Sequence, residues 1–192
     1  MRRLKLHASA TIQLPPEDLD RLLTSFRIKS LKAGDFLVKE GDVCREVAFV
    51  ERGLMRVFSN RKGREITYLI VTEGGFSTSL SSFISQSPSE EAVQAQEDSL
   101  LYCLSRTELL QLYDAHPVME KAARIFFEQL SADLMRRMLV MLSETAEERY
   151  ERLLKEQPHL LQRIPLHQLA SFLGLAPQSL SRIRKNLADF RS

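Results

Sequence analysis

The chain is predicted to fold as an α+β protein in three parts. These are a jelly-roll-like β-roll with a helix near its start (residues 1–115), one long helix (residues 116–143), and an all-helical unit (residues 144–192). Three observations carry this. Between residues 46 and 71 apolar and polar side chains alternate; from His116 the apolar residues recur every three or four; from Leu166 two short apolar runs meet at Gly174. Alternation places every second side chain on one face of a strand, whereas a spacing of three or four builds one face of a helix.

The first helix signal is PPEDLDRLL, where Pro15 and Pro16 precede acidic first-turn residues. GDFLVKEGD then sets short strand-favouring pieces between glycines. In EVAFVERGLMRVFSNRKGREITYLIV, Val47, Phe49, Leu54, Val57, Ile66, Tyr68 and Ile70 mark strands, and the polar NRKG at 60–63 turns them into a hairpin. EAVQAQ and SLLYCLS give two more strands after a Ser-rich stretch from Ser77 to Ser89. Met119, Ala123, Phe126, Leu130, Leu134, Met138 and Met141 then lie on one helical face, which Met135, Leu139 and Leu142 widen. His116 to Leu142 spans about 40 Å at 1.5 Å per residue, more than one small roll can cover. Part of that face is therefore expected on the roll and part on a second copy of the helix, with Phe126, Leu130, Leu134 and Met138 as the dimer contact. Thr145 and Glu148 form a capping box that opens another helix, running to about Lys155.

With 44% hydrophobic and 27% charged residues, the composition is that of a globular protein rather than a disordered one. MRRLKLHASATIQLPP lacks the apolar run of a signal peptide, and no stretch approaches the roughly 20 apolar residues of a membrane span. A cytoplasmic address and no membrane partner are expected. Cys44 and Cys103 stand far apart and outside any Cys/His cluster, as small core residues do. His7, His116, His159 and His167 are isolated, Glu90/Glu91 and Glu147/Glu148 are adjacent pairs that cannot converge on one substrate, and no catalytic glycine, serine or HExxH motif occurs. No catalytic residue, metal site or cofactor is expected, and no enzymatic activity. The net charge of +2 hides an asymmetry: residues 163–192 hold five basic groups and one acid, for +4, while the rest holds 22 basic against 24 acidic. Such a tail suits a local polyanion contact, a solvated basic face being the plainer alternative.

The segment LHQLASFLGLAPQSLSRIRKNL makes that contact specific. If Leu166 opens one helix, Ala170 is the small residue at the crossing, Gly174 makes the tight turn, and Pro177 begins a second helix where its missing N–H costs nothing. Leu180, Ile183 and Leu187 then face inward, which is helix-turn-helix spacing. Gln178, Ser179, Ser181, Arg182 and Lys185 are left outward. Arg can fork onto guanine, Gln onto adenine, and Ser, Arg and Lys can hold phosphates, so these five are the candidate DNA-binding residues.

The order of roll, long helix and helix-turn-helix resembles the cyclic-AMP receptor protein/FNR (Crp/Fnr) family of bacterial transcription regulators over nearly the whole chain. GDFLVKEGD, ERGLMRVF, the AHP before the long helix and LASFLGLAPQSLSRIRKNL carry the likeness. It implies a cyclic-nucleotide-binding-type roll, a parallel dimer and a domain that reads palindromic operators, with Gln178 and Arg182 at base-reading positions. Pro177 replaces a basic residue often found there. In that family a Gly-Glu pair, a loop and an Arg-Ser pair hold the cyclic phosphate. FSTSLSSFISQSPSEEAVQA aligns with this cassette through Phe76, Leu80, Val93 and Ala95, but Thr78 and Ser79 replace the Gly-Glu pair and Ser89 and Glu90 the Arg-Ser pair. The ligand pocket is thus a degenerate cassette of Phe76, Thr78, Ser79, Leu80, Ser89 and Glu90, in which a carboxylate stands where attraction to phosphate was needed. Loss of the arginine forfeits an ionic hydrogen bond of roughly 1.5–3 kcal/mol, and a cyclic nucleotide is not expected to bind. Two cysteines are also too few for an iron–sulfur cluster. Only five residues follow Leu187, so the β-hairpin wing that family members usually carry is expected to be missing.

The partners implied are double-stranded DNA, a second copy of the chain, RNA polymerase, and an effector that the residues do not name. The competing reading is a degenerate ligand-sensing or protein-interaction module in which the terminal helices only pack.

Overall fold

The computed structural model describes residues 1–11 and 15–189. Two helices, α1 (Arg2–Thr11) and α2 (Pro16–Ser25), precede eight strands: β1 (Arg27–Leu31), β2 (Phe36–Val38), β3 (Glu46–Arg52), β4 (Met55–Arg61), β5 (Arg64–Val71), β6 (Phe76–Ser77), β7 (Ala92–Ala95) and β8 (Ser99–Ser105). A short helix, α3 (Leu80–Ser85), interrupts them, and α4 (Arg106–Ala115) closes the roll. The strands pair antiparallel in two sheets, β1-β8-β3-β6 and β2-β7-β4-β5, which is a jelly-roll order. Alternation on β3 shows how the sequence dictates this: Ala48 and Val50 enter the inter-sheet core with Met55, Val57, Val93 and Leu101, while Phe49 turns the other way, under the N-terminal helices with Leu4, Leu23, Tyr102 and Leu104.

The hairpin expected at NRKG is present. Lys62 and Gly63 both have positive φ, 56° and 79°, the handedness that matches the twist of a two-residue connection between β4 and β5. Opposite β4 the register of β5 slips: Val57 faces Leu69 but Phe58 faces Thr67, so Tyr68 is the extra residue of a bulge.

The long helix α5 (Pro117–Ser143) has 27 residues and starts with Pro at its first position. Its neighbour α6 (Ala146–Glu156) is opened by the Thr145/Glu148 capping box, with both reciprocal bonds made. α7 (Leu160–Arg163), α8 (Leu166–Phe172) and α9 (Pro177–Asp189) complete the chain. Four helices were not anticipated, one of them α3 within the Ser-rich stretch. α1 lacks a capping signature and owes its place to Leu4 and Ala8, which are almost fully buried against the roll. α4 begins ten residues before the helical period was read, because Ser105 and Glu108 form a second capping box directly after β8. α7 is a single turn between Pro158 and Pro165.

The terminal helices are not packed apart from the roll. Tyr150, Leu153, Leu160, Ile164, Leu169, Ala170, Leu173, Leu180 and Ile183 form one core, and Leu54 of the roll belongs to it. No helix among the described residues is long and apolar enough to cross a membrane.

Candidate nucleic-acid interface and the groove of the roll

α8 ends where Leu173 and Leu175 donate backbone N–H bonds back to Ala170. Gly174, with φ of +71°, supplies the left-handed residue that reverses the chain toward α9. Ala170 is fully buried at the crossing, as are Leu180 and, nearly, Ile183 on α9. The inward residues thus fix the rotation of α9. Gln178, Ser181, Arg182 and Lys185 are exposed on its outer face, and Ser179 is half-buried at its edge. The side chain of Leu187, expected inward, lies outside the described residues.

Four residues that the sequence reading did not assign hold this helix pair. Ser171 on α8 docks on β5, where its hydroxyl accepts the Thr67 N–H at 2.9 Å and donates to the Glu65 carbonyl at 3.0 Å. Arg149 donates to the Leu173 carbonyl at 3.0 Å and to the Glu144 carbonyl at 2.5 Å. The Arg137 guanidinium on α5 lies 4.1 Å from the centre of the Phe172 ring; burial, helped by the charge of Arg152, brings it down to about 10. Beneath the docking strand, the buried Arg56 bonds the side chains of Glu65 and Thr67 and stacks on Phe58.

Arg163 corrects one part of the charge argument. Counted as part of the basic tail, it faces the roll instead: it donates to Glu73 at 2.8 and 3.0 Å, to Glu97 at 2.6 and 3.2 Å, and to the Gly53 carbonyl at 3.1 Å. Its charge is consumed by two carboxylates. Burial alone would raise the Glu73 carboxyl, but the Arg163 hydrogen bond and the backbone N–H groups of Glu73 and Gly53 outweigh it and bring the carboxyl down to about 2.

Along α5, Phe126 sits edge-to-face on Phe76 with ring centres 5.1 Å apart, so this residue packs at least partly on the roll of its own chain. Leu130 is half-buried, and Leu134 and Met138 are exposed. Farther along, Met135, Leu139 and Leu142 stand 63–78% exposed, leaving an apolar stripe without cover in the single chain.

In the roll, a groove of about 480 Å³ opens between the β4–β5 hairpin, α3 and the segment before β7. Among the cassette residues expected to form the ligand pocket, Glu90 lines it, and the others are placed elsewhere. Phe76 belongs to an aromatic cluster with His7, Phe49 and Phe126. The Thr78 hydroxyl donates to the Glu46 carbonyl at 3.1 Å. Ser79 is fully buried and bonds the Ser89 hydroxyl at 2.8 Å, and Ser89 also reaches the Glu91 backbone. Leu80 starts α3 and is half-buried. The two ends of the cassette are therefore joined to each other. Arg61, not picked out by sequence, reaches across to Glu90 at 2.5 Å, so that carboxylate is paired. Tyr68, from the bulge, also lines the groove; burial, then Glu91, pushes its phenol up. Among the described residues no group of three or more His, Cys, Asp or Glu is placed to hold a metal ion.

Residues 28–116 match the family model of the cyclic nucleotide-binding domain. The match takes in the roll and α4, and leaves the long helix and the terminal helices outside it. Over 136 residues, the chain is 27% identical to potassium/sodium hyperpolarization-activated cyclic nucleotide-gated channel 3 of Mus musculus. That alignment takes 71% of this chain and 16% of the channel, so the chain spans about one-sixth of that relative's length. The catabolite activator protein of Thermus thermophilus is 25% identical and superposes with a TM-score of 0.54, covering 92% of this chain and 84% of that one. FixK2 of Bradyrhizobium japonicum, 19% identical, covers 85% of each chain with a TM-score of 0.70. These solved neighbours are regulators of the Crp/Fnr type, and the fold of the chain is theirs.

Proposed function

We propose that the protein is a transcription regulator that binds a palindromic DNA site as a homodimer, and that its roll does not respond to cyclic AMP. The outer face of α9 carries this reading: Gln178, Ser181, Arg182 and Lys185 are exposed on a helix whose rotation is fixed by a buried core. These side chains offer bidentate donors for base edges and cations for phosphates. The uncovered stripe on α5 supports the dimer, since Leu134, Met135, Met138, Leu139 and Leu142 recur at the spacing of a helix-to-helix seam. Two copies joined there would present two α9 helices to successive major grooves, about 34 Å apart. Against cyclic AMP stands the cassette itself, where Ser79 and Ser89 bond each other and the nearby Arg61 already pairs with Glu90.

Selection of binding sequences from a random DNA pool tests the main reading. Enrichment of a palindrome is expected; salt-sensitive binding without a motif, or no binding, would favour a sensing or protein-interaction module instead. For the roll, calorimetric titration with cyclic AMP is expected to be silent, and micromolar binding would overturn that part.

A further inference from the structure

The position of α9 relative to the dimer helix depends on how the terminal core is attached to the rest of the chain. On the α5 side the attachment is the two-residue connection Glu144–Thr145, braced by Arg149 on the Glu144 carbonyl and by Arg137 on the Phe172 ring. A body held along one side still pivots, and a second anchor on a different element removes that freedom. Arg163 is that anchor. All three nitrogens of its guanidinium donate, and the acceptors come from three separate turns at one end of the roll: Gly53 between β3 and β4, Glu73 between β5 and β6, and Glu97 between β7 and β8. Both carboxylates also reach the same nitrogen, Nη2, at 2.8 and 2.6 Å. A planar fork fits such an acceptor set where an ammonium would not. The roll shapes this receptacle with bonds of its own. The Gly53 N–H donates to Glu73 at 3.1 Å, and the Leu54 carbonyl accepts the Gln96 N–H at 2.8 Å. Gly53 has a φ of +107°, and a Cβ there would lie 2.2 Å from the Ser99 hydroxyl oxygen, so the turn admits glycine alone. Its neighbour Leu54 is fully buried in the core of the terminal helices, which puts an apolar plug beside the ionic fork.

We propose that Arg163 is a positioning residue for DNA recognition: by locking the terminal helices to the end of the roll, it fixes the separation of the two α9 helices in a dimer and so sets which spacing of half-sites the protein accepts. The inference rests on the reading above that the protein binds a palindromic site as a homodimer. Arg163 touches no DNA in this role, since its donors are taken up by the roll. The roll in turn meets the dimer helix through Phe76 and Phe126, so the hold on α9 runs from Arg163 through the roll to α5. Two rigidly held helices engage both half-sites together only at the matching distance. A spacer changed by two base pairs turns one half-site by roughly 70° about the DNA axis, and one of the two helices must let go.

The test is competition binding of the full chain to the palindrome selected from the random pool, with the spacer between its half-sites at the selected length and changed by two base pairs either way. The natural chain is expected to lose about a hundredfold or more on the altered spacers, as loss of simultaneous engagement implies, and Arg163→Ala less than about tenfold. A variant that is merely less stable loses all spacings equally. A second readout needs no DNA. Cys44 and Cys103 are buried, so Arg184→Cys on the exposed side of α9 takes a spin label selectively. The distance between the two labels of a dimer is expected to be narrowly distributed, and to broaden when Arg163→Ala is added. Thermal melts establish that each variant is folded; if Arg163→Ala is not, Glu97→Gln, which leaves the Glu73 bonds, is read in its place and is expected to relax the spacing in the same direction. Sequence-specific binding by a natural chain indifferent to spacing, equal strictness in the folded variant, or an equally narrow distance overturns the positioning role and leaves the DNA reading standing. Failure to select any palindrome overturns both.

Discussion

The outer face of α9 and the groove of the roll treat their polar side chains in opposite ways. On α9, Gln178, Ser181, Arg182 and Lys185 project from a helix that buries Leu180 and Ile183 on its other side, so their hydrogen-bonding capacity faces solvent. In the roll, Ser79, Ser82, Ser85 and Ser89 are bonded to one another or to nearby backbone, and Arg61 is bonded to Glu90. The difference teaches that the two ends of one fold can be retained under separate demands. On the proposed function, a surface for reading DNA needs exposed donors on a rigid support, whereas side chains that satisfy each other need no ligand.

The support beneath α9 is the first place to break that contrast. Leu180 is fully buried in the core shared by α6, α8 and α9. Leu180→Ala is expected to cost roughly 2–5 kcal/mol, from lost burial and the cavity left behind. Thermal unfolding should show the loss. DNA binding should fall with it, while the groove, built from other elements, keeps its shape.

Next in size is the joint between the two regions. Arg163→Ala leaves Glu73 and Glu97 without their partner in a partly enclosed place, and a destabilisation of roughly 2–4 kcal/mol follows. The pH dependence has a definite sign. The Glu73 carboxyl is held at about 2, below its ordinary value of 4.5, so its contribution is present above the ordinary value and is lost as pH falls through the interval down to about 2. An acid titration followed by denaturant unfolding should lose stability across that interval in the natural chain, and less of it in Glu73→Gln.

Smaller still, and confined to one region, are the effects on the outer face of α9. Arg182→Ala is expected to cost about 1–3 kcal/mol on the preferred sequence and to relax base preference at one position of each half-site. Lys185→Ala should weaken all sequences more evenly and lower the salt dependence by about one phosphate contact. Competition binding at two salt concentrations separates these outcomes. Equal loss on every sequence from Arg182→Ala would place that residue on the backbone instead.

What could be seen in the sequence follows the range over which its signals act. The long helix, the Thr145/Glu148 box and the turn at Gly174 are written in residues three or four apart, and the structure has them where spacing and capping put them. The hairpin at Lys62–Gly63 is equally local. The Ser105/Glu108 box was just as legible, but the strand run SLLYCLS leads directly into it and hides the change of period. α1 is different in kind, since its hold on the roll comes from Leu4 and Ala8 meeting strands far along the chain. Arg163 lies 90 residues from Glu73 and 66 from Glu97, and no pattern of either segment marks the pair. For the groove, the sequence singled out Glu90, but not that Arg61, 29 residues away, would close on that carboxylate, nor that Ser79 and Ser89 would bond each other.

The smallest expected effect tests whether the two regions communicate. Ser171 is the one side chain of α8 that bonds the backbone of β5 on both sides of its hydroxyl, at Thr67 and at Glu65. The same strand bulges at Tyr68 to line the groove. Ser171→Ala removes both bonds and leaves the Thr67 N–H and the Glu65 carbonyl to find water, at a cost of about 0.5–1.5 kcal/mol. Stability should therefore barely change, and α9 keeps its core and its outer face. If the roll sets the position of the helix pair through β5, hydrogen exchange at the Thr67 amide should quicken, and protection across α8 should fall while that of the inter-sheet strands stays. Unchanged exchange over α8 would mean that Arg163, Arg149, Arg137 and the apolar core suffice to hold the helices, and that β5 carries no signal between the groove and the outer face of α9.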